Sequence, residues 1–357
     1  MKNSIAIWFD KLDGESTEDV SLFLDLNIWL SRYKNSKRVT FIRWLGNLFN
    51  RKWFYDRHID NYIEFGLKIK NYQKIKHLNI YLPYKISHND IKDIVPEFTD
   101  IGTLNALFNE KMNISEEDGG LYLIHFKNNH KKEDFIASCS YFEKDHIKSI
   151  DGGGCILRLE MPQSSPTAQN TLYKRLRINK LECAVTEYSE NNFIIDGLFK
   201  KLQTVEININ SLRRLPKFIV DKMNGNTNIK SVNFFMMTDI FANIIFQSRK
   251  IDSSRILEED IWNKYLGIDK SYKDIKKVVA YQWKYGGDIE DYNLFMKLAN
   301  TEKRWLLFLF SILIVILFGI IGGYGGNKLT QCLDSYFDCN TTKNSVVTSK
   351  GETDGSK

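Results

Sequence analysis

The run LFLDLNIWL at residues 22–30 places Leu22, Leu24, Leu26, Ile28 and Leu30 at every second position. That is the period of a strand with one buried face; a helix would return its apolar residues every three or four. The same alternation recurs at Ile63, Phe65, Leu67 and Ile69, and at Leu78, Ile80 and Leu82 before Pro83. It appears again at Cys155, Leu157, Leu159 and Met161 before Pro162, and at Val205, Ile207 and Ile209. Residues 4–9, 121–126, 135–142 and 231–238 read as further strands. Alternation of this kind points to antiparallel sheets with one wet face. The expected fold is therefore α+β and β-rich, sandwich-like, with helices late in the chain.

Local signals divide this domain. The runs at 63–69 and 78–82 read as two arms of an antiparallel hairpin. Asp118-Gly119-Gly120 is a turn, and Asp151-Gly152-Gly153-Gly154 is a sharp break that marks a sub-boundary near 150 within a domain spanning 1–270. Apolar spacing of three and four predicts helices over 99–111, 240–247, 255–265 and 288–300. Residues 276–283 fit either a strand or a helix. On this reading 271–304 is a helical region leading out of the domain.

The next stretch, Trp305–Ile321, reads WLLFLFSILIVILFGII, and the uncharged run continues to Gly326. Twenty-two helical residues at ~1.5 Å each reach ~33 Å, enough for a hydrocarbon core of ~30 Å. Residues 305–326 are thus expected to form one transmembrane helix, with 327–357 a short tail. Lys297, Lys303 and Arg304 precede the span and only Lys328 follows closely, which places the large domain in the cytoplasm and the tail outside. The opening MKNSIAIWFDKLDGESTEDV has no apolar core of signal-peptide length. Gly319/Gly323 and Gly322/Gly326 form two overlapping GxxxG spacings, which predict a homo-oligomer through the span. Cys332 and Cys339, in CLDSYFDC, are candidates for a disulfide in an oxidising exterior.

Net charge is +6 over 357 residues, and the tail after 326 sums to zero, so the excess lies in the domain and span. From Arg32 to Arg57 there are eight Lys or Arg and one acid, Asp56, and Phe41, Trp44, Leu45, Leu48 and Phe49 recur at helical spacing. This basic amphipathic segment either packs on the core or lies on a membrane surface.

Catalytic motifs are lacking: there is no Walker A loop, GxGxxG, HExxH or GxSxG. The histidines show no metal-ligand spacing, and no cofactor or metal is expected. One strand, 172–179, has a basic side: Tyr173, Arg175 and Arg177 face away from Leu172, Leu176 and Ile178, with Lys174 the polar exception on the apolar side. Arginine forks beside an aromatic ring suit phosphate and bases. Arg213 and Arg214 would join them if their strands were neighbours. The reading is a single-pass membrane-anchored sensor or effector, of a layout similar to bacterial signalling and defence proteins. Its cytosolic domain would bind a nucleotide, nucleic acid or protein and couple binding to association of the spans. The alternatives are a membrane-tethered enzyme acting on a phosphate-bearing substrate, and an adaptor that docks a partner at the bilayer.

Overall fold

The computed structural model describes residues 4–30, 61–117, 119–127, 133–151, 153–162, 169–179, 185–188, 200–223, 227–266, 277–301 and 305–348. It divides into one unit of Met1–Ser189 with Lys201–Thr301, and a second of Glu190–Lys200 with Glu302–Lys357. The basic segment 37–54 and Cys183 lie outside the described residues.

The first unit is a β-sandwich. Its larger layer is a ten-stranded sheet built on β2 (Ser21–Trp29), β3 (Tyr62–Lys70), β11 (Thr171–Ile178) and β14 (Ile229–Asp239). Beyond β14 come β17 (Val278–Ile289) and β16 (Ser253–Ile256). Beyond β11 come β8 (Phe135–Ser138), β7 (Leu121–Phe126) and β6 (Met112–Glu117), with short β5 (Ile91–Asp93) also on β11. The sheet is mixed: β2 runs parallel to β14 and β8 parallel to β11, while the other pairs are antiparallel.

Two four-stranded sheets form the opposing layer. One has the order β1 (Ala6–Lys11), β4 (Ile75–Leu82), β10 (Cys155–Glu160), β9 (Ile147–Ser149). The other has β12 (Val185–Tyr188), β13 (Lys200–Ile209), β18 (Tyr292–Thr301), β15 (Asn243–Gln247). A parallel bridge between Ile5 and Ile209 joins them. The Ile5 N–H donates to Asn208 O at 2.9 Å, and the Asn210 N–H donates to Ile5 O at 2.8 Å. The alternating residues supply one core: Leu22, Leu24, Leu26 and Ile28 pack with Leu78, Ile80 and Leu82, with Leu157 and Leu159, and with Leu294, Met296 and Leu298. Each such side chain contributes roughly 1.5–3 kcal/mol by leaving water.

A third layer covers the outer face of the large sheet. It holds a short 3₁₀ turn at Val95–Thr99, helix α1 (Ile101–Phe108) and helix α3 (Glu259–Leu266). Asp100 caps α1 by accepting from the Thr103 N–H at 3.2 Å, and Lys264 of α3 pairs with the same carboxylate at 2.9 Å. Helix α2 (Lys217–Met223) covers part of the outer face of the β1–β4–β10 sheet through Ile219 and Met223.

Three expectations are corrected. The runs at 63–69 and 78–82 do not pair: β3 binds β2 and β11, and β4 binds β1 and β10. A 3₁₀ turn at Tyr72–Lys74, entered through left-handed Asn71 (φ 56°), carries the chain from one sheet to the other. The glycine break near 150 is the turn of the β9–β10 hairpin; strands on both sides of it share both layers, so no domain border falls there. Residues 243–247 and 288–300 are not helical but belong to strands β15, β17 and β18. Leu, Met, Lys and Ala at 294–299 favour a helix in isolation; pairing with β13 and β15, and inward Tyr292, Leu294, Met296 and Leu298, override that preference.

The register places several strand termini together. Asp239 lies opposite Val278, Met237 opposite Trp29, Trp29 opposite Tyr62, and Asn243 opposite Ala299. This is the exit end of the sandwich, where β18 leaves the domain and where the chain departs β2 and re-enters β3. The β17–β18 turn and the start of β14 lie at the far end.

Among the described residues the second unit holds one helix, α4 (Trp305–Thr348), of 44 residues. At ~1.5 Å per residue it is ~66 Å long, about twice a hydrocarbon core. Within it, Ile312–Asp334 is long and apolar enough to cross a membrane. The expected short tail is therefore helical to Thr348.

The two β9–β10 turn glycines make a paired test. A Cβ at Gly154 (φ +95°) would lie 2.7 Å from Leu82 O and 2.9 Å from the buried Tyr81 ring, whereas one at Gly153 (φ +102°) would meet nothing within 4 Å. Gly154→Ala is expected to lower stability by about 2–4 kcal/mol through strain plus overpacking, and Gly153→Ala by about 1 kcal/mol. Urea midpoints in detergent measure both; equal midpoints would contradict the assigned clash.

Candidate functional site

The five residues predicted to hold an anion separate into two places. Tyr173, Arg175 and Arg177 project from β11 onto the outer face of the large sheet, as the alternation requires. That face is not wet. Arg175 and Arg177 are 3% and 6% exposed, and Glu64 between them on β3 is 0% exposed. Arg175 Nη2 donates to Glu64 Oε2 at 2.8 Å, its Nη1 to the Tyr173 hydroxyl at 3.0 Å, and its Nε to the Tyr265 hydroxyl at 3.2 Å. Arg177 Nε donates to Glu64 Oε1 at 2.9 Å, and its guanidinium lies between the rings of Tyr62 (4.3 Å) and Tyr265 (4.9 Å). The Tyr265 hydroxyl and Asn27 Nδ2 also donate to Glu64 Oε2, at 2.9 and 3.3 Å. The expected phosphate-binding face is thus an internal ion network under α3.

Register explains the assembly. Asn27, Glu64 and Arg177 form one rung across β2, β3 and β11; Asp25, Gly66 and Arg175 form the next. A side chain at position 66 would strike the Tyr173 hydroxyl, so glycine opens the space in which the network sits. Burial alone would push the Glu64 carboxyl up. The two guanidiniums and the Tyr265 hydroxyl more than offset it and hold Glu64 below the ordinary glutamate value.

Lys174, the polar exception, lies on the inner side of β11. It donates to Ser140 Oγ at 3.0 Å and to Ser138 Oγ at 3.3 Å, and burial lowers its pKa to about 8 against the raising field of Asp93. A lysine beside a serine is a nucleophile–base geometry. Here, however, the Ser140 N–H donates to Asp93 and the Cys139 N–H donates to Gly120 O. Neither N–H is free to stabilise an oxyanion, and the amine is 3% exposed. The cluster ties β11 to the end of β8 and the residues after it. Among the described residues no group of three or more His, Cys, Asp or Glu is placed to hold a metal.

Arg213 and Arg214 sit elsewhere. Strand β13 neighbours β12 and β18, not β11, so these arginines do not join the first group. They line a groove of about 1410 Å³ at the far end, with Arg249 from the loop after β15. Arg214 pairs with Glu206. Arg249 donates from Nε to Asn293 O at 3.3 Å, and its guanidinium lies 4.3 Å over Tyr285. Arg213 is exposed. Asp288, Glu290 and Asp291 line it as well. Sequence reasoning missed Arg249 because a lone arginine after a strand carries no motif.

In α4, Gly319, Gly322, Gly323 and Gly326 fall within one face, and nothing lies within 4 Å of a Cβ built on any of them. Thr330 continues that face and donates to Gly326 O at 3.0 Å. Cys332 is a free, exposed thiol. Cys332 and Cys339 are seven residues apart within α4, ~10.5 Å along the helix axis.

Two outcomes follow from the buried charges. Glu64→Gln, or Arg175→Ala with Arg177→Ala, leaves buried charge uncompensated and is expected to cost about 3–5 kcal/mol in urea unfolding. Because native Glu64 titrates below its unfolded value, its contribution is complete above the ordinary glutamate value and is lost as pH falls through the native value. Unchanged unfolding in both variants would refute the network's role. For Lys174 the sign is opposite. The unfolded chain keeps that proton to about 10.5 and the native chain sheds it at about 8, so stability should rise between those values. Lys174→Met should flatten that rise; a persistent rise would assign it to another group.

No protein-family model matches the sequence and no curated protein sequence is similar to it, so the functional reading stands on this geometry.

Proposed function

We propose that the chain is a single-pass membrane-anchored sensor or effector, in which a ligand or partner of the β-sandwich alters association of α4. The observation that carries this reading is α4 itself: uncharged from Trp305 to Gly326, apolar enough to cross a bilayer over Ile312–Asp334, and bearing an open glycine face. Small residues at four-residue spacing let helix backbones approach closely. The Lys297, Lys303 and Arg304 bias favours a cytoplasmic sandwich.

The far-end groove is the candidate receiving site. Its volume exceeds that of most small-molecule pockets, ~300–1,000 Å³. Three arginines face four carboxylates there, a mixed lining that suits a peptide segment of a partner protein and would repel a polyphosphate. Asn293, Leu294 and Phe295 of β18 line the groove, and the other end of β18 leads to α4. One strand thus connects the two features, and its displacement is the proposed coupling.

The helix face can be tested by oxidative cross-linking of full-length protein in vesicles. Positions 319, 323, 326, 330 and 333 share a face, and Cys332 lies off it. With the native cysteines otherwise replaced, Leu333→Cys should cross-link readily and a chain retaining Cys332 alone poorly. Adding Gly319→Ile and Gly323→Ile should lower the Leu333→Cys dimer by about tenfold, the effect of ~1.4 kcal/mol. Equal cross-linking at all positions and in all variants would overturn association through this face.

A further inference from the structure

We propose that the exit end of the sandwich carries a lipid-docking patch, formed by Ile240, Phe241, Ile245, Phe246 and Ile256 with Lys297, which rests on the headgroup–acyl boundary of a bilayer. The proposal depends on the reading that α4 spans that bilayer.

The apolar residues are exposed where water would disfavour them. Phe241 is 59% exposed, Ile245 57%, Ile256 52%, Phe246 50% and Ile240 37%. Four of them fall within seven consecutive residues, 240–246, which form the turn after β14 and the edge strand β15. The turn is held rigidly: the Phe241 N–H donates to Asp239 Oδ1 at 2.9 Å, and the Ile240 N–H to Lys277 O at 3.0 Å. In β15 the register shifts between Ile244 and Phe246, so Ile245 is the extra residue of a β-bulge. A bulge interrupts an edge and re-aims a side chain. Here it turns an isoleucine outward on the outer strand of its sheet. An exposed apolar edge is a liability unless something covers it.

Chain connectivity identifies the cover. Asn243 lies opposite Ala299, two residues before β18 ends at Thr301. Only residues 302–304 separate Thr301 from the start of α4 at Trp305. At no more than ~3.6 Å per residue, so short a link keeps this end of the sandwich within a headgroup layer's reach of the chain's entry into lipid. The far-end exposed residues Leu212 and Phe218 have no such constraint. The polar surroundings fit a membrane surface. Phe246 lies opposite exposed Lys297 and 5.9 Å from Phe295, and Lys277, whose carbonyl accepts from Ile240 at the turn, is also exposed. Aromatic rings at the boundary with lysines reaching the headgroups is the arrangement such surfaces favour.

The test uses the full chain with its native cysteines replaced by alanine, in vesicles of phosphatidylcholine and phosphatidylglycerol at three to one. Nitroxide labels are attached singly after Phe241→Cys, Ile245→Cys, Leu212→Cys or Val315→Cys. Accessibility to oxygen relative to a water-soluble nickel complex reports depth. The expected result is a lipid value at 315, a water value at 212, and a ratio at 241 and 245 several-fold above that at 212. Water values at 241 and 245 with a lipid value at 315 would overturn the patch and leave the span standing. A water value at 315 would remove the span and the patch with it.

Discussion

A carboxylate at 0% exposure between two buried guanidiniums is the constraint around which the ten-stranded sheet is organised. Three charges in such a site are tolerated only when each is paired and hydrogen-bonded. Satisfying Glu64 requires β2 to bring Asn27, β11 to bring both arginines, and α3 to bring Tyr265. A one-residue slip of any of these strands would turn its contribution to the hydrophobic side. The network therefore fixes register in the middle of the sheet. It also fixes where α3 sits, because Trp262 and Tyr265 pack beside Trp29 and Tyr62 directly over it. Lys264 and Arg255 then tie that region to α1.

The same arrangement explains how much of the molecule could be read from its sequence. Alternation at Leu22–Leu30, Ile63–Ile69, Cys155–Met161 and Val205–Ile209 located strands correctly because one side of each meets a single large core. It did not reveal that the other side of β3 and β11 is covered as well. Tyr173, Arg175 and Arg177 alternate with apolar residues just as a solvent face would. Their counter-ion lies more than a hundred residues away, and no local pattern reports a partner at that separation. Strand β18 was read as a helix for a related reason: its residues favour helix individually, and only distant strands make it extended.

Of the candidate site, the apolar helix was legible, since it depends on local composition alone. The far-end groove was half legible. Arg213 and Arg214 drew notice as a pair, yet Arg249, Asp288 and Asn293 come to them through the β17–β18 turn and the loop after β15. Grouping Arg213 with Arg175 would require β13 beside β11, and β13 instead neighbours β12 and β18. Strand order in a mixed sheet is set by which faces must be buried, not by proximity in sequence.

The parallel ladder between β2 and β14 joins residues some two hundred positions apart, and β1 is tied to the segment after β13 over a similar distance. Contacts of this kind cannot form until most of the chain exists, and long closures slow folding. The sandwich is completed only by β17 and β18, the last strands before α4. During synthesis the early strands must therefore wait with open edges while the apolar helix follows only three residues behind the final strand. Emergence of α4 and closure of the domain thus fall at nearly the same moment in the life of the chain. A nascent molecule whose helix is delayed would present two sticky surfaces at once, which is a burden for chaperones.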